Sequence, residues 1–284
     1  MTNLKKSTED INKFSTTIDR WSYYEIAQFI HLSDIEAYES IASQIDKIAS
    51  VAEMIVKIIK KGGRAIYVGA GTSGRIAVID VVELMPTYGL GKESFDYVMA
   101  GGDRALTESV EGSEDDKNEA VLALKEKKLS KSDILIGVSA SGSTPYVLSA
   151  MEYARSIGCK TVGITSNSMK PITEVSEICI ELLTGAEVIQ GSTRMKAGTA
   201  QKMTLNIIST SVAIKLGRTY RNTMSNMGSW YNEKLKQRAV NMLVEQFKLS
   251  ENAATKILKK VNYNISAAIS FVKNNKIPKE NKKE

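Results

Sequence analysis

The sequence predicts an α/β fold: a parallel sheet covered by helices on both faces, with a helical segment before it and a small helical unit after it. Three observations carry this reading. Five short, largely apolar runs, at 65–68, 95–100, 134–138, 161–165 and 178–182, have the length and composition of strands buried on both faces. Stretches of helical periodicity lie between them. Two of the strand ends, in "VGAGTSG" (68–74) and "VSASGST" (138–144), run into turns rich in glycine and hydroxyls that open helices.

Taken in order, residues 23–61 read as helical, with Ile41, Ile45, Ile48, Ala52, Ile55 and Ile59 recurring at three- and four-residue steps until Gly62 and Gly63 end the pattern. The apolar runs then alternate with helices expected at 75–84, 116–128 and 144–157, and a long helix is expected at 196–216. A polar stretch at 225–232 precedes three short helical patterns, 232–247, 251–260 and 264–273. The expected organisation is an N-terminal helical segment (1–61), an α/β domain (62–225), a small helical unit (226–273) and a disordered basic tail (274–284).

Composition narrows the function. With 43% apolar and 25% charged residues the chain reads as an ordinary globular protein. Its start, MTNLKKSTED, is too polar for a signal peptide, and no apolar run reaches the ~18 residues of a membrane span, so a cytoplasmic protein without a membrane partner is expected. Cys159 and Cys179 lack C-x-x-C spacing and read as reduced core thiols. With His31 the only histidine, a zinc site is not expected. Of the net charge of +6, the segment from Lys273 to Glu284 supplies +3 through five lysines and two glutamates. The charge is therefore largely a solvated terminus, and no nucleic-acid partner is expected.

Gly69, Gly71 and Gly74 fit the G-x-G-x-x-G pattern of dinucleotide loops, which calls for an acidic residue at the end of the next strand to hold a ribose. That strand ends in Met99, Ala100 and Gly101, and its acid, Asp96, lies near its start. A dinucleotide also leaves the hydroxyls and the second loop unexplained. Two such loops side by side offer backbone N–H groups, helix dipoles and hydroxyls to a single anion. The phosphate of a small molecule is the expected ligand, held by Thr72, Ser73, Ser139, Ser141 and Thr144, with Lys196 as a cation. Taken singly, each loop is equally well read as a tight strand-to-helix turn.

These motifs, with "AGGDRALTESVEGSED" (100–115), "TPYV" (144–147), "EYAR" (152–155) and "GSTRMKAGTAQKM" (191–203), make the chain resemble the N-acetylmuramic acid 6-phosphate etherases of the sugar-isomerase (SIS) superfamily, from about Ser7 to about Phe271. The resemblance implies cleavage of the D-lactyl ether of a phosphorylated amino sugar, giving N-acetylglucosamine 6-phosphate and D-lactate. It also implies a homodimer, no metal, no cofactor and a C-terminal unit similar to a ubiquitin-associated fold. By position it puts the family's general acid on Glu83, in "VIDVVELMPTYG", and its general base on Glu114, in "VEGSEDD".

Two carboxylates suffice for this chemistry. The aldehyde of the open sugar acidifies the C2 hydrogen, a base removes it, and loss of the lactyl oxygen from C3 needs a proton donor before water adds. One carboxyl must be ionised and the other protonated, so their surroundings should differ. Val81, Val82, Leu84 and Met85 around Glu83 predict burial, which favours the protonated form; Glu114, placed in the first turn of a helix and capped by Ser113, is expected ionised. Without the resemblance, Glu114 is simply an acidic first turn.

The chain departs from the family pattern at several points. Ser143 replaces the arginine of A-S-G-R-T-P-Y-V, and Ile11 that of T-E-x-R-N. "VVELMP" (81–86) stands for A-S-E-C-P-P, and "RNTMSN" (221–226) for G-N-L-M-V-D. A phosphosugar isomerase and a non-catalytic phosphosugar sensor are the competing readings. A sensor has no need of the two glutamates.

Overall fold

The structure, a computed structural model, describes residues 7–225 and 233–274. Most of the polar stretch expected at 225–232 and of the basic tail expected at 274–284 lies outside the described residues. Helices α1 (Tyr23–Ala42) and α2 (Ile45–Lys60) lead into β1 (Ala65–Gly69), α3 (Gly71–Tyr88), β2 (Phe95–Met99), α4 (Lys117–Glu126), β3 (Ile134–Val138) and α5 (Pro145–Ser156). Next come β4 (Lys160–Thr165), α6 (Pro171–Glu174), β5 (Ile178–Glu181), α7 (Lys196–Lys215), a small hairpin of β6 (Thr219–Tyr220) and β7 (Thr223–Met224), and α8 (Glu233–Phe247), α9 (Glu251–Lys260) and α10 (Ile265–Asn274).

The five main strands form one parallel sheet in the order β2-β1-β3-β4-β5. Chain order reverses between β1 and β3, which lie side by side with Gly69 level with Val138. Such a reversal opens a crevice at the carboxyl ends of the two strands, and both hydroxyl-bearing loops leave the sheet there. Every residue of β1 and β3 is buried, as their unbroken apolar runs require. Tyr146, Val147, Ala150, Met151 and Ala154 of α5 pack over Ile66, Val68 and Leu135.

Residues 23–61 form two helices, not the single one their periodicity suggests. Ser40 Oγ donates to the Ala37 carbonyl (2.8 Å) and Ser43 Oγ to that of Ser40 (3.4 Å), a competition for helix carbonyls that loosens the last turn. Gln44 in the break accepts the Glu181 N–H through Oε1 (3.2 Å), and Lys47 Nζ donates to the Cys179 carbonyl (2.8 Å). The open edge of β5 is thus covered by side chains of this region.

The chain divides into two compact units, Met1–Val81 with Lys92–Val212, and Val82–Gly91 with Ala213–Glu284. In the second, α8, α9 and α10 close over Ala239, Leu243, Ala254, Leu258, Ile265 and Ala268. The hairpin joins them by stacking Tyr220 on Phe247 at 5.6 Å. Among the described residues no helix is long and apolar enough to cross a membrane, and no group of His, Cys, Asp or Glu is placed to hold a metal ion.

Candidate active site

The first loop is a turn drawn tight against the sheet. A Cβ on Gly74 would lie 2.8 Å from the Gly69 carbonyl oxygen and from Met99 Sδ, so only glycine lets α3 start this close to β1 and β2. That start is earlier than the 75–84 expected: Gly74 N–H bonds to Ala70 O (3.1 Å), which brings Gly71, Thr72 and Ser73 into the first turn. Their N–H groups precede the first helical bond and face outward from the helix end with its positive dipole. Ser73 is buried and Thr72 half-buried. The acid a dinucleotide would need is occupied elsewhere: Asp96, level with Ile66 near the start of β2, pairs with Lys127 (2.8 Å) and Arg64 (3.5 Å).

The second loop brings three of the expected hydroxyls together. Ser139 Oγ lies 2.7 Å from Thr144 Oγ1 and 3.2 Å from Ser141 Oγ. Gly142 N–H donates to Ser139 Oγ (3.0 Å) and Ser143 N–H to Ser141 Oγ (3.2 Å). Thr144 is the N-cap of α5, yet its side chain makes no capping bond, and Pro145 at N1 has no N–H. The first helical bond, Leu148 N–H to Thr144 O, leaves the Tyr146 and Val147 N–H groups ahead of it. Ser143, where the family pattern has arginine, is exposed at the rim.

Glu114 lies beside the start of the first loop. It lines a cavity of about 140 Å³ with Gly71 and Arg75 of α3, Met99, Ala100 and the 109–113 loop, and its own short turn lies against α5. Its local setting differs from the one expected. The cap of α4 is Asp116, whose Oδ1 accepts the Asn118 and Glu119 N–H groups (both 2.9 Å), whereas Ser113 Oγ donates back to Val110 O (2.8 Å). Glu114 therefore sits in a separate 3-10 turn, Ser113–Asp115, ahead of the helix and exposed. A carboxylate bonds a helix N-terminus more strongly than a hydroxyl does, so Asp116 takes the cap.

Glu83 lies on α3 in the part that belongs to the second unit, and it is exposed, as are Val82 and Met85 beside it. The burial expected from its apolar neighbours is absent in the single chain, because Val81 and Leu84 turn inward while Glu83 turns out. Lys196, expected as a cation for the phosphate, is buried, and its Nζ lies 2.7 Å from Glu36 Oε2. Its N–H and that of Ala197 donate to the fully buried Glu187 carboxylate (both 3.0 Å), which caps α7; burial raises the affinity of Glu187 for its proton. The sequence reading gave no role to Arg75 or Glu187. Arg75 was visible as the last residue of "GAGTSGR", whereas Glu187 has no local signal.

Asp80, one helical turn before Leu84, is buried with Oδ1 on the Ser209 hydroxyl (3.0 Å), and burial pushes its carboxyl up to about 6. Cys159 and Cys179 are free and buried, and burial pushes the Cys159 thiol up to about 12. A larger surface cavity, about 460 Å³, lies between α2 and β5 and includes Asp46, Lys47 and Cys179. It holds none of the expected site residues, so size alone does not mark the site.

Comparison with known proteins agrees with this fold. Residues 47–155 match the glucokinase regulatory protein N-terminal SIS domain, and residues 111–211 match the SIS domain. Among solved structures, a phosphoheptose isomerase of Neisseria gonorrhoeae aligns over 66% of this chain and 97% of its own, with a TM-score of 0.51 and 14% identity, which supports the fold. The N-acetylmuramic acid 6-phosphate etherase 2 of Bacillus licheniformis is 44% identical over 93% of this chain and 88% of its own length. Etherases of Pseudothermotoga lettingae, at 42%, and Enterococcus faecalis, at 40%, cover 93% and 94% of this chain. Identity of this order along almost the whole sequence, over a SIS sheet with its paired loops, makes the chain a member of the N-acetylmuramic acid 6-phosphate etherase family.

Proposed function

We infer that this protein is a carbon–oxygen lyase that cleaves the D-lactyl ether of N-acetylmuramic acid 6-phosphate, yielding N-acetylglucosamine 6-phosphate and D-lactate in the breakdown of cell-wall amino sugars. The observation that carries this is the near-full-length identity to etherases of three distant bacteria. The phosphate is received at the crevice between β1 and β3, by the hydroxyls of Thr72, Ser73, Ser139, Ser141 and Thr144 and the free N–H groups of two helix ends. Lys196 is the cation of the site in this reading, with Glu36 as its resting partner.

Glu114 is the general base. It shares a cavity with Gly71 and Arg75 of the first loop, which supports a base that meets the C2 hydrogen of a sugar whose phosphate is held by the loops. The proton passes to the Glu114 carboxylate, electrons move into the aldehyde to give an enolate, and the C3–oxygen bond breaks as Glu83 protonates the departing lactyl oxygen. Water then adds to the unsaturated aldehyde. In this reading a second copy of the chain covers Glu83: Ile79, Val82 and Met85 on α3 are 52%, 50% and 43% exposed around that glutamate, an apolar surface that a partner would bury. A cytoplasmic homodimer follows, with two buried thiols suited to a reducing compartment.

The test is incubation of the purified protein with N-acetylmuramic acid 6-phosphate and enzymatic assay of D-lactate. Release of one D-lactate per sugar is expected. No lactate, with conversion of a 2-hydroxy aldose phosphate to its ketose in a parallel incubation, would mark an isomerase, and tight binding of N-acetylmuramic acid 6-phosphate without turnover a sensor.

A further inference from the structure

The serine loop is held from behind by a residue far from it in sequence. The carbonyl of Ala140, between Ser139 and Ser141, accepts three hydrogen bonds: from Ser166 N–H (3.0 Å), from Thr165 Oγ1 (3.2 Å) and from Asn167 Nδ2 (2.9 Å). A carbonyl oxygen offers two lone pairs, so three converging donors fix its direction closely. The peptide unit is planar and trans, so the N–H of Ser141 must point opposite to that carbonyl. This N–H makes no hydrogen bond among the described residues. Pinning Ala140 on one side therefore aims a free donor out of the other side of the loop.

Asn167 is itself immobilised. Its Nδ2 also donates to Thr8 Oγ1 (3.0 Å), its Oδ1 accepts the Thr8 N–H (3.1 Å), and its own N–H donates to Thr165 Oγ1 (3.3 Å). Thr8 is fully buried and Asn167 is 2% exposed. With Thr8 engaging both ends of the amide, the side chain cannot flip to present oxygen to Ala140. The segment carrying Thr8 is tied down further on, by Ser15 Oγ to Val188 O (2.7 Å) and Gln190 Nε2 to Glu9 O (2.9 Å).

We propose that Asn167, locked by Thr8, is a positioning residue that fixes the Ala140–Ser141 peptide so that the Ser141 N–H meets the substrate's phosphate. The proposal rests on the phosphate-binding reading of this loop given above. It makes the N-terminal segment a working part of the anion site, although neither residue touches the ligand.

Binding of inorganic phosphate, measured by calorimetry, and steady-state kinetics with N-acetylmuramic acid 6-phosphate test it together. Asn167→Ala and Asn167→Asp should weaken phosphate binding and raise KM by roughly 10-fold or more, with kcat held within about twofold. Thr8→Val, which keeps the volume and removes the hydroxyl, should give a smaller loss of the same kind, and Thr8→Ser should bind as wild type does. A merely structural role would lower melting temperature without changing the phosphate affinity of the folded fraction. Unchanged phosphate affinity in Asn167→Ala and Thr8→Val, or a fall in kcat alone, would overturn the proposal, as would a wild-type protein that binds no phosphate. If wild type binds phosphate and the variants bind it less tightly, the proposal stands even where no D-lactate is released, which separates its fate from that of the assigned reaction.

Discussion

Burial and charge are in open conflict at Asp80, and the conflict has a measurable consequence. The folded protein holds this carboxyl up to about 6 against an ordinary value of 3.8, because burial outweighs the Ser209 hydroxyl, the Lys202 charge and the Tyr67 hydroxyl. Between these two values the folded chain carries a proton that the unfolded chain has lost. Stability therefore falls as pH rises through the window and stays lower above it, by roughly 3 kcal/mol. Asp80→Asn keeps an acceptor for Ser209 and has no charge to bury. Its melting temperature should exceed that of wild type by a few degrees at pH 8, with the gain shrinking toward pH 4; a gain independent of pH, or a loss at pH 8, would contradict this. Residue types at the site were legible in the sequence, and their surroundings were not. Glu83 and Glu114 stand out by motif, yet the burial expected for one and the helical turn expected for the other depend on which neighbours face inward and on Asp116 outcompeting Ser113 for a helix end. Asn167 has no local signal at all, since its partner Thr8 lies 159 residues away.

At the level of elements, the sheet was the most readable part. Strands buried on both faces are largely apolar, and all five runs are strands of the main sheet, with the loops at 68–74 and 138–144 on neighbouring strands. The break between α1 and α2 was not readable, because periodicity runs through it and neither glycine nor proline marks it. The hairpin of β6 and β7 was missed too: two-residue strands are too short to show any period. Gly142 links element geometry to function. It adopts a φ of +69°, and a Cβ there would lie 2.7 Å from Lys170 Cβ and from Thr165 Oγ1. Gly217 has a similar φ of +74° with nothing near its absent Cβ. Both alanine variants bear the backbone penalty of about 1 kcal/mol, and Gly142→Ala must also displace the neighbours that hold the serine loop. Gly142→Ala should therefore lower melting temperature more than Gly217→Ala and weaken phosphate binding, while Gly217→Ala leaves binding unchanged. Equal effects on both would contradict the tight seating of the loop.

For the molecule as a whole, the chain leaves much apolar surface uncovered. Tyr23, Tyr24 and Tyr38 of α1 are 94%, 73% and 71% exposed, and Leu32 and Ile35 are each 51% exposed. These side chains, with the apolar residues around Glu83, are the surface that the proposed homodimer would cover. Light scattering at micromolar concentration should find a particle of about twice 31.1 kDa, and a particle of one chain mass would remove the cover proposed for Glu83. The central claim, a two-carboxylate elimination, is tested most directly by proton NMR of N-acetylmuramic acid 6-phosphate incubated in D₂O with wild type, Glu114→Gln and Glu83→Gln. Gln preserves the shape of Glu and removes its charge and its acid–base function, with an expected loss toward the upper end of ~10²–10⁴-fold because an ether oxygen leaves poorly. Wild type should release D-lactate, and Glu114→Gln should neither release it nor exchange the C2 hydrogen. Glu83→Gln should exchange that hydrogen without releasing lactate, since the enolate forms before the leaving group departs. Exchange with Glu114→Gln but not with Glu83→Gln would reverse the two roles, and lactate release at the wild-type rate by both variants would contradict the mechanism.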